Sequence, residues 1–166
     1  MAALTAIPAI AVIILVLLPI NIPNDGNKRL PAQAMSRVKQ VATALLIYQT
    51  DYDNRYPLAA GDAAWEAALL PYCKNLDLFS SVGKGFGRVK PNTNVAGVVV
   101  DPEQGAVPIG STTISTPSEI MTAYVRVDRW GLDITAVVGF ADSHAEILPK
   151  SKTGEFNRLL ATRFTR

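Results

Sequence analysis

The chain has 166 residues, enough for one domain of ordinary size plus an appendage. Its formal charge of +2, carried by dispersed basic residues, is too weak to imply a nucleic-acid partner. A single cysteine, Cys73, excludes an intrachain disulfide and a cysteine-ligated zinc site. Hydrophobic residues make up 49% and the mean hydropathy is +0.20, but the excess is local: Ala2 to Asn24 carries no charged side chain.

Ala2 to Ile20 is an almost unbroken apolar run. A bilayer core about 30 Å thick needs roughly 20 apolar residues rising 1.5 Å each, so the run is just long enough to span. A cleaved signal peptide would want a basic start and a small-residue cleavage site, a buried core helix a polar face, and an interfacial helix a charged side; none is clear here. The expectation is a membrane-spanning, assembly-competent helix over residues 1–24, with Leu4, Ile7, Ile10, Ile13, Ile14, Leu15, Leu17 and Leu18 as its apolar surface. Pro8 and Pro19 are kinks that membrane helices tolerate, and Asn21 to Gly26 reads as a helix stop or a melted stretch. Lys28, Arg29, Arg37 and Lys39 follow the run, and the positive-inside rule would put them in the cytoplasm.

The rest, residues 25–166, reads as one domain. Ala34, Val38, Val41, Leu45, Tyr48 and Tyr52 recur at intervals of 4, 3, 4, 3 and 4, one stripe of an amphipathic helix expected to pack on a sheet. That helix should end near Asp53-Asn54, ahead of Pro57. A short helix over Ala63 to Tyr72 follows, with Asp62 as its N-cap and Trp65, Leu69 and Tyr72 inward. Lys74 to Pro91 reads as loop. Strands are predicted at Val95 to Val100, Ile120 to Val127, Thr135 to Ala141 and His144 to Leu148, the last two joined by a two-residue turn at Asp142-Ser143. Gly154 to Thr162 is a candidate closing helix. The order is α+β: a long N-terminal helix, half membrane-spanning and half amphipathic, on a small antiparallel sheet.

Two blocks carry a resemblance. The first is Ser36 to Tyr48 leading into Asp51-Tyr-Asp-Asn-Arg-Tyr-Pro57; the second is Phe140-Ala-Asp-Ser-His-Ala-Glu-Ile-Leu148 followed by Glu155-Phe-Asn-Arg-Leu-Leu160. With Leu17-Leu18-Pro19 they resemble the type IV pilin-like proteins, specifically pseudopilin-like proteins with an H-X9-DG C-terminal domain. Ser143 stands where that family usually has glycine, and the family's Gly-Phe-Thr-Leu-Ile-Glu processing signal is not recognisable. The resemblance implies a pilin-like fold and a structural subunit of a type IV pilus-like or type II secretion pseudopilus assembly. It implies a single-pass protein of the cell inner membrane with its C-terminal domain extracytoplasmic, opposite to the positive-inside rule. Its partners would be membrane lipid and other copies or other pilin-like subunits, with no nucleic acid and no catalysis. Tyr56, Pro57, Phe140, Asp142 and His144 would be structural motif residues.

Other chemistry is thin. His144 is the only histidine, and Asp142 two residues before it favours a local hydrogen bond over a catalytic dyad. Gly83-Lys-Gly-Phe-Gly-Arg88 imitates a phosphate loop but lacks the preceding strand and following helix, so a mobile loop is expected. No cofactor is implied. Calcium is the one ion worth weighing, since some pseudopilins hold it in a C-terminal loop. Asp51, Asp53 and Asn54, or Asp128 with Asp133, offer oxygens, yet no EF-hand spacing occurs. The alternative function is a membrane-tethered extracytoplasmic binding or sensing module using Lys74 to Thr116.

Overall fold

The computed structural model describes residues 26–59 and 61–165. The expected spanning helix, Leu4 to Leu18 included, lies outside the described residues. None of the described helices is long and apolar enough to cross a membrane.

The first described element is a 26-residue helix, α1 (Gly26–Asp51). Helix is already present at Gly26, where the sequence pointed to a break, and it accommodates Pro31 near its start. Ala34, Val38, Val41 and Leu45 are buried and Tyr48, partly buried, packs against the same core, so the stripe is a packing face over five of its six positions. It fails at Tyr52, which is half-exposed beyond the helix end.

What stops the helix is not Pro57. Asp53 and Asn54 both take left-handed backbones (φ 51° and 60°). The Asn54 N–H reaches back to the Gln49 carbonyl at 2.9 Å, the long bond of a Schellman closure. The buried Gln49 side chain donates in turn to the Asn54 carbonyl at 3.2 Å.

Helix α2 (Asp62–Cys73) follows and buries Trp65 and Leu69, while Tyr72 stays partly exposed. Asp62 is its first residue rather than its cap. The predicted loop at 74–91 is instead a two-stranded hairpin, β1 (Ser81–Gly83) with β2 (Phe86–Arg88), and then the short edge strand β3 (Lys90–Pro91). The glycine-rich stretch is therefore a β-hairpin tip, not a mobile loop. The valine run at 95–100 makes no ladder. Its residues Val95, Val98 and Val100 are buried, but Gly97 takes φ 69° and breaks the run, leaving a single bridge from Val99 to Arg55.

The main sheet is antiparallel, in the order β3-β4-β5-β6, with β4 Met121–Arg126, β5 Ala136–Phe140 and β6 Ala145–Leu148. Every residue of β5 is buried because both sheet faces are covered. Val137 joins the cluster of α1 residues on one side. Ala136, Val138 and Phe140 join Phe156 and Leu159 of the closing helix α3 (Thr153–Ala161) on the other. That explains why β5 reads as a continuous apolar run rather than an alternating one.

A bulge in β4 assists this division. Register shifts between Met121 and Ala123, so Met121 packs with α3 while Ala123 packs with α1. Buried Asn92 donates its side-chain amide to the Met121 carbonyl at 2.9 Å and its N–H to the Thr122 carbonyl at 2.8 Å. These bonds satisfy the ladder groups of β4 on its β3 side.

The helix lies close against the sheet at Gly139. A Cβ there would lie 2.8 Å from Val38 Cγ1 and 3.3 Å from Ala42 Cβ. Only glycine lets α1 lie this near β5.

Candidate functional site

Two neighbouring constellations form where α1 ends. One gathers the five motif residues. The segment after α1 runs antiparallel to 97–100: Tyr56 N–H donates to the Val98 carbonyl (3.0 Å), and Val100 N–H to the Asn54 carbonyl (3.0 Å). This buries both Tyr56 and Pro57. The Tyr56 hydroxyl has no hydrogen-bond partner among the described residues. Burial drives its pKa far above the ordinary phenol value, and the nearby Asp142 carboxylate adds to the effect, so the hydroxyl stays protonated.

Asp142 belongs to the β5–β6 connection. Ser143 N–H donates to the Phe140 carbonyl (3.0 Å), and Phe140 N–H to the His144 carbonyl (3.0 Å). The loop is thus Ala141-Asp142-Ser143, three residues rather than the two expected. Ser143 alone in it has positive φ, 69°. A two-residue type I′ turn needs two left-handed residues; a three-residue loop ending in one left-handed residue needs only this.

Asp142 Oδ1 accepts the His144 N–H at 3.1 Å and lies 2.5 Å from His144 Nδ1. The imidazole stacks face to face on Phe140, with centroids 4.2 Å apart and planes 2° from parallel. The hairpin is also tied at its tip, where Ala141 N–H is shared by the carbonyls of Pro117 and Ile120. Among the described residues no hydroxyl or thiol hydrogen-bonds to the imidazole, so the arrangement lacks the nucleophile–base contact that acyl transfer requires. It can hold the hairpin against the end of the helix, with Tyr56 beneath.

The second constellation escaped the sequence reading. Tyr48 and Tyr52 stack at 4.2 Å, and Tyr72 of α2 meets Tyr48 edge-on at 5.5 Å. The Tyr72 hydroxyl donates to Asp51 Oδ2 at 2.9 Å. Its pKa is pushed up to about 12, first by desolvation and then by the Asp51 carboxylate it bonds. The i, i+4 spacing of Tyr48 and Tyr52 is the sequence signal for the stack, and Tyr48 also packs against the core. Beside this stack a groove of about 410 Å³ runs along α1, lined by Ser36, Lys39, Gln40, Thr43, Ile47 and Tyr72 among others.

Two of the carboxylates weighed for calcium have other partners. Asp51 is engaged by Tyr72, and Asp133 accepts the Lys150 N–H at 3.3 Å. Among the described residues no three acidic, histidine or cysteine side chains form a metal cluster.

No family model, curated protein or solved structure matches this chain. Function is argued from geometry and residue chemistry.

Proposed function

We propose that this chain is a structural subunit of a type IV pilus-like or type II secretion pseudopilus assembly. In this reading residues 1–24 form a helix in the cell inner membrane and the domain is extracytoplasmic. The observation that carries the reading is how α1 is held. Ala34, Val38, Val41 and Leu45 are sunk into the sheet, and Gly139 admits the helix to near contact with β5. At 26 residues, α1 is about 39 Å of rigid rod. A pull on its N-terminal end is therefore transmitted to the whole domain, as a subunit drawn from a bilayer into a filament requires. At the far end of the rod the Asp142 carboxylate of the sheet's hairpin lies near the buried Tyr56.

The mechanism is physical. An apolar helix stores the subunit in lipid, then exchanges lipid contacts for van der Waals contacts with neighbouring helices. No catalytic step is involved. The ordered resemblance of the Ser36–Pro57 and Phe140–Leu160 blocks to pilin-like proteins supports the same reading. The groove beside Tyr72 favours the alternative, a membrane-tethered binding module. The groove lies mostly along α1 and α2 and takes Leu78 from the stretch Lys74 to Thr116, where smaller grooves also border Thr93–Asn94 and Ser111–Ser115.

Replacing Leu15 and Leu18 with glutamate tests the anchor. The variant should leave the membrane fraction while keeping its folded circular dichroism. Unchanged fractionation would remove the foundation of the proposal.

A further inference from the structure

Trp130 is 98% exposed, whereas the other tryptophan, Trp65, is 3% exposed in the core. An indole is a large apolar body with a single polar N–H, and such side chains are enriched at interfaces and in membrane-boundary belts, where one end is apolar and the other wet. The loop that carries it is held at both ends. Val127 N–H donates to the Thr135 carbonyl (3.0 Å) and Asp128 N–H to the Gly85 carbonyl (2.8 Å), while Leu132 and Ile134 pack on the core.

The surroundings of this loop place it at one end of the domain. Arg129 lies over Gly85 in the β1–β2 tip, where an added Cβ would sit 2.7 Å from Arg129 Cβ. On the same tip, a Cβ at Gly83 would sit 2.8 Å from Leu30 Cδ2, in the opening turns of α1. Trp130, the hairpin tip and the start of α1 are thus neighbours. Lys28, Arg29 and Lys84 are exposed there and Arg129 is partly so, against Asp128 and Asp133. From Ile20 to Gly26 there are six residue steps, so at most about 22 Å of extended chain separates this end from the apolar run.

We propose that this end of the domain is a membrane-contact face. Trp130 enters the headgroup region of a phospholipid bilayer, and Lys84, Arg129, Lys28 and Arg29 lie against anionic headgroup phosphates. Tryptophan prefers the bilayer–water boundary, and clustered lysine and arginine are drawn to anionic lipid. The inference rests on residues 1–24 being anchored in the same bilayer, since that tether keeps the face within reach. It adds a function for the loop: holding the domain down on the membrane, in a fixed orientation, while the subunit is stored there.

The test uses the full chain reconstituted in vesicles of phosphatidylcholine and phosphatidylglycerol containing brominated phosphatidylcholine. Bromine quenches only indoles that reach the bilayer, so about half of the emission of the two tryptophans should be lost. Trp130→Phe should abolish that loss, and shielding from acrylamide should vanish with it. Lys84→Gln with Arg129→Gln should weaken the quenching when phosphatidylglycerol is present and not in its absence. A chain that floats with the vesicles while Trp130 stays open to acrylamide and untouched by bromine overturns the inference and leaves the anchor intact. The exposed indole would then serve a protein or glycan partner. A chain that fails to float overturns both the anchor and the contact face.

Discussion

The seating of α1 on β5 can be probed by adding a single methyl group. In Gly139→Ala the new carbon would fall 2.8 Å from Val38 Cγ1 and 3.3 Å from Ala42 Cβ, with the Val38 carbonyl oxygen at 3.5 Å. The first distance is well inside van der Waals contact, and Val38 is fully buried, so its side chain has no free space to turn into. The helix must move off the sheet or the sheet must bend, and overpacking of this kind costs about 1–3 kcal/mol. Were β5 an open strand, alanine should do slightly better than glycine. Val38→Ala alone leaves a void and costs about 1–3 kcal/mol by lost burial. Together the two changes relieve each other, so the double variant should be more stable than the sum predicts by about 1 kcal/mol. Chemical denaturation in mild detergent reads this out through Trp65, whose ring meets Phe79 edge-on at 5.9 Å in the core. A Trp130→Phe background leaves Trp65 as the single indole that reports the transition. Additive costs, or a Gly139→Ala variant as stable as the parent, would mean that the helix does not lie this close to the sheet.

Ser143→Gly should raise stability by about 1 kcal/mol, because a left-handed serine carries the Cβ–carbonyl strain that glycine lacks. Ser143→Val should lower it, with thermal melting as the readout. Tyr56→Phe removes a buried hydroxyl without a partner and should be neutral or stabilising by up to about 1 kcal/mol; a clear loss would reveal a hydrogen bond to the hydroxyl. Tyr72 has a raised pKa when folded, so its stabilising contribution is complete below the unfolded value near 10 and disappears as pH rises through about 12. Melting temperatures of the parent and Tyr72→Phe should therefore converge across that window, and absorbance titration of the variant should lose the tyrosine that ionises at about 12. Identical pH profiles would show that Tyr72 is not bonded to Asp51.

Periodicity revealed the elements with long, uniform burial. The α1 face from Ala34 to Leu45, the Trp65-Leu69 pair and strands β4 to β6 are all legible, because each packs into a core cluster along much of its length. The hairpin at 81–88 was not. Its strands are three residues each, too short for alternation to register, and glycine takes three of the eight positions. The valines of 95–100 misled for the opposite reason. Their composition suits a strand, but a left-handed Gly97 directs them into the core separately. The β4 bulge left no sequence trace, since it depends on Asn92, 29 residues away, donating to the Met121 carbonyl. At the site, Asp142 and His144 could be paired from spacing alone. Placing Tyr56 beneath them required the Schellman turn at Asp53-Asn54, which redirects the chain after α1. The tyrosine stack was read as core because a helical stripe does not announce where the sheet beneath it ends.

The claim at the centre is that the apolar N-terminal run brings copies of this chain together side by side. Detergent can be removed slowly from purified full-length protein, and the product viewed by negative-stain electron microscopy beside the Leu15→Glu, Leu18→Glu variant. Elongated, regularly spaced particles formed by the parent and not by the variant are the expected result. Monodisperse single domains in both samples, with no detergent bound, would contradict the account.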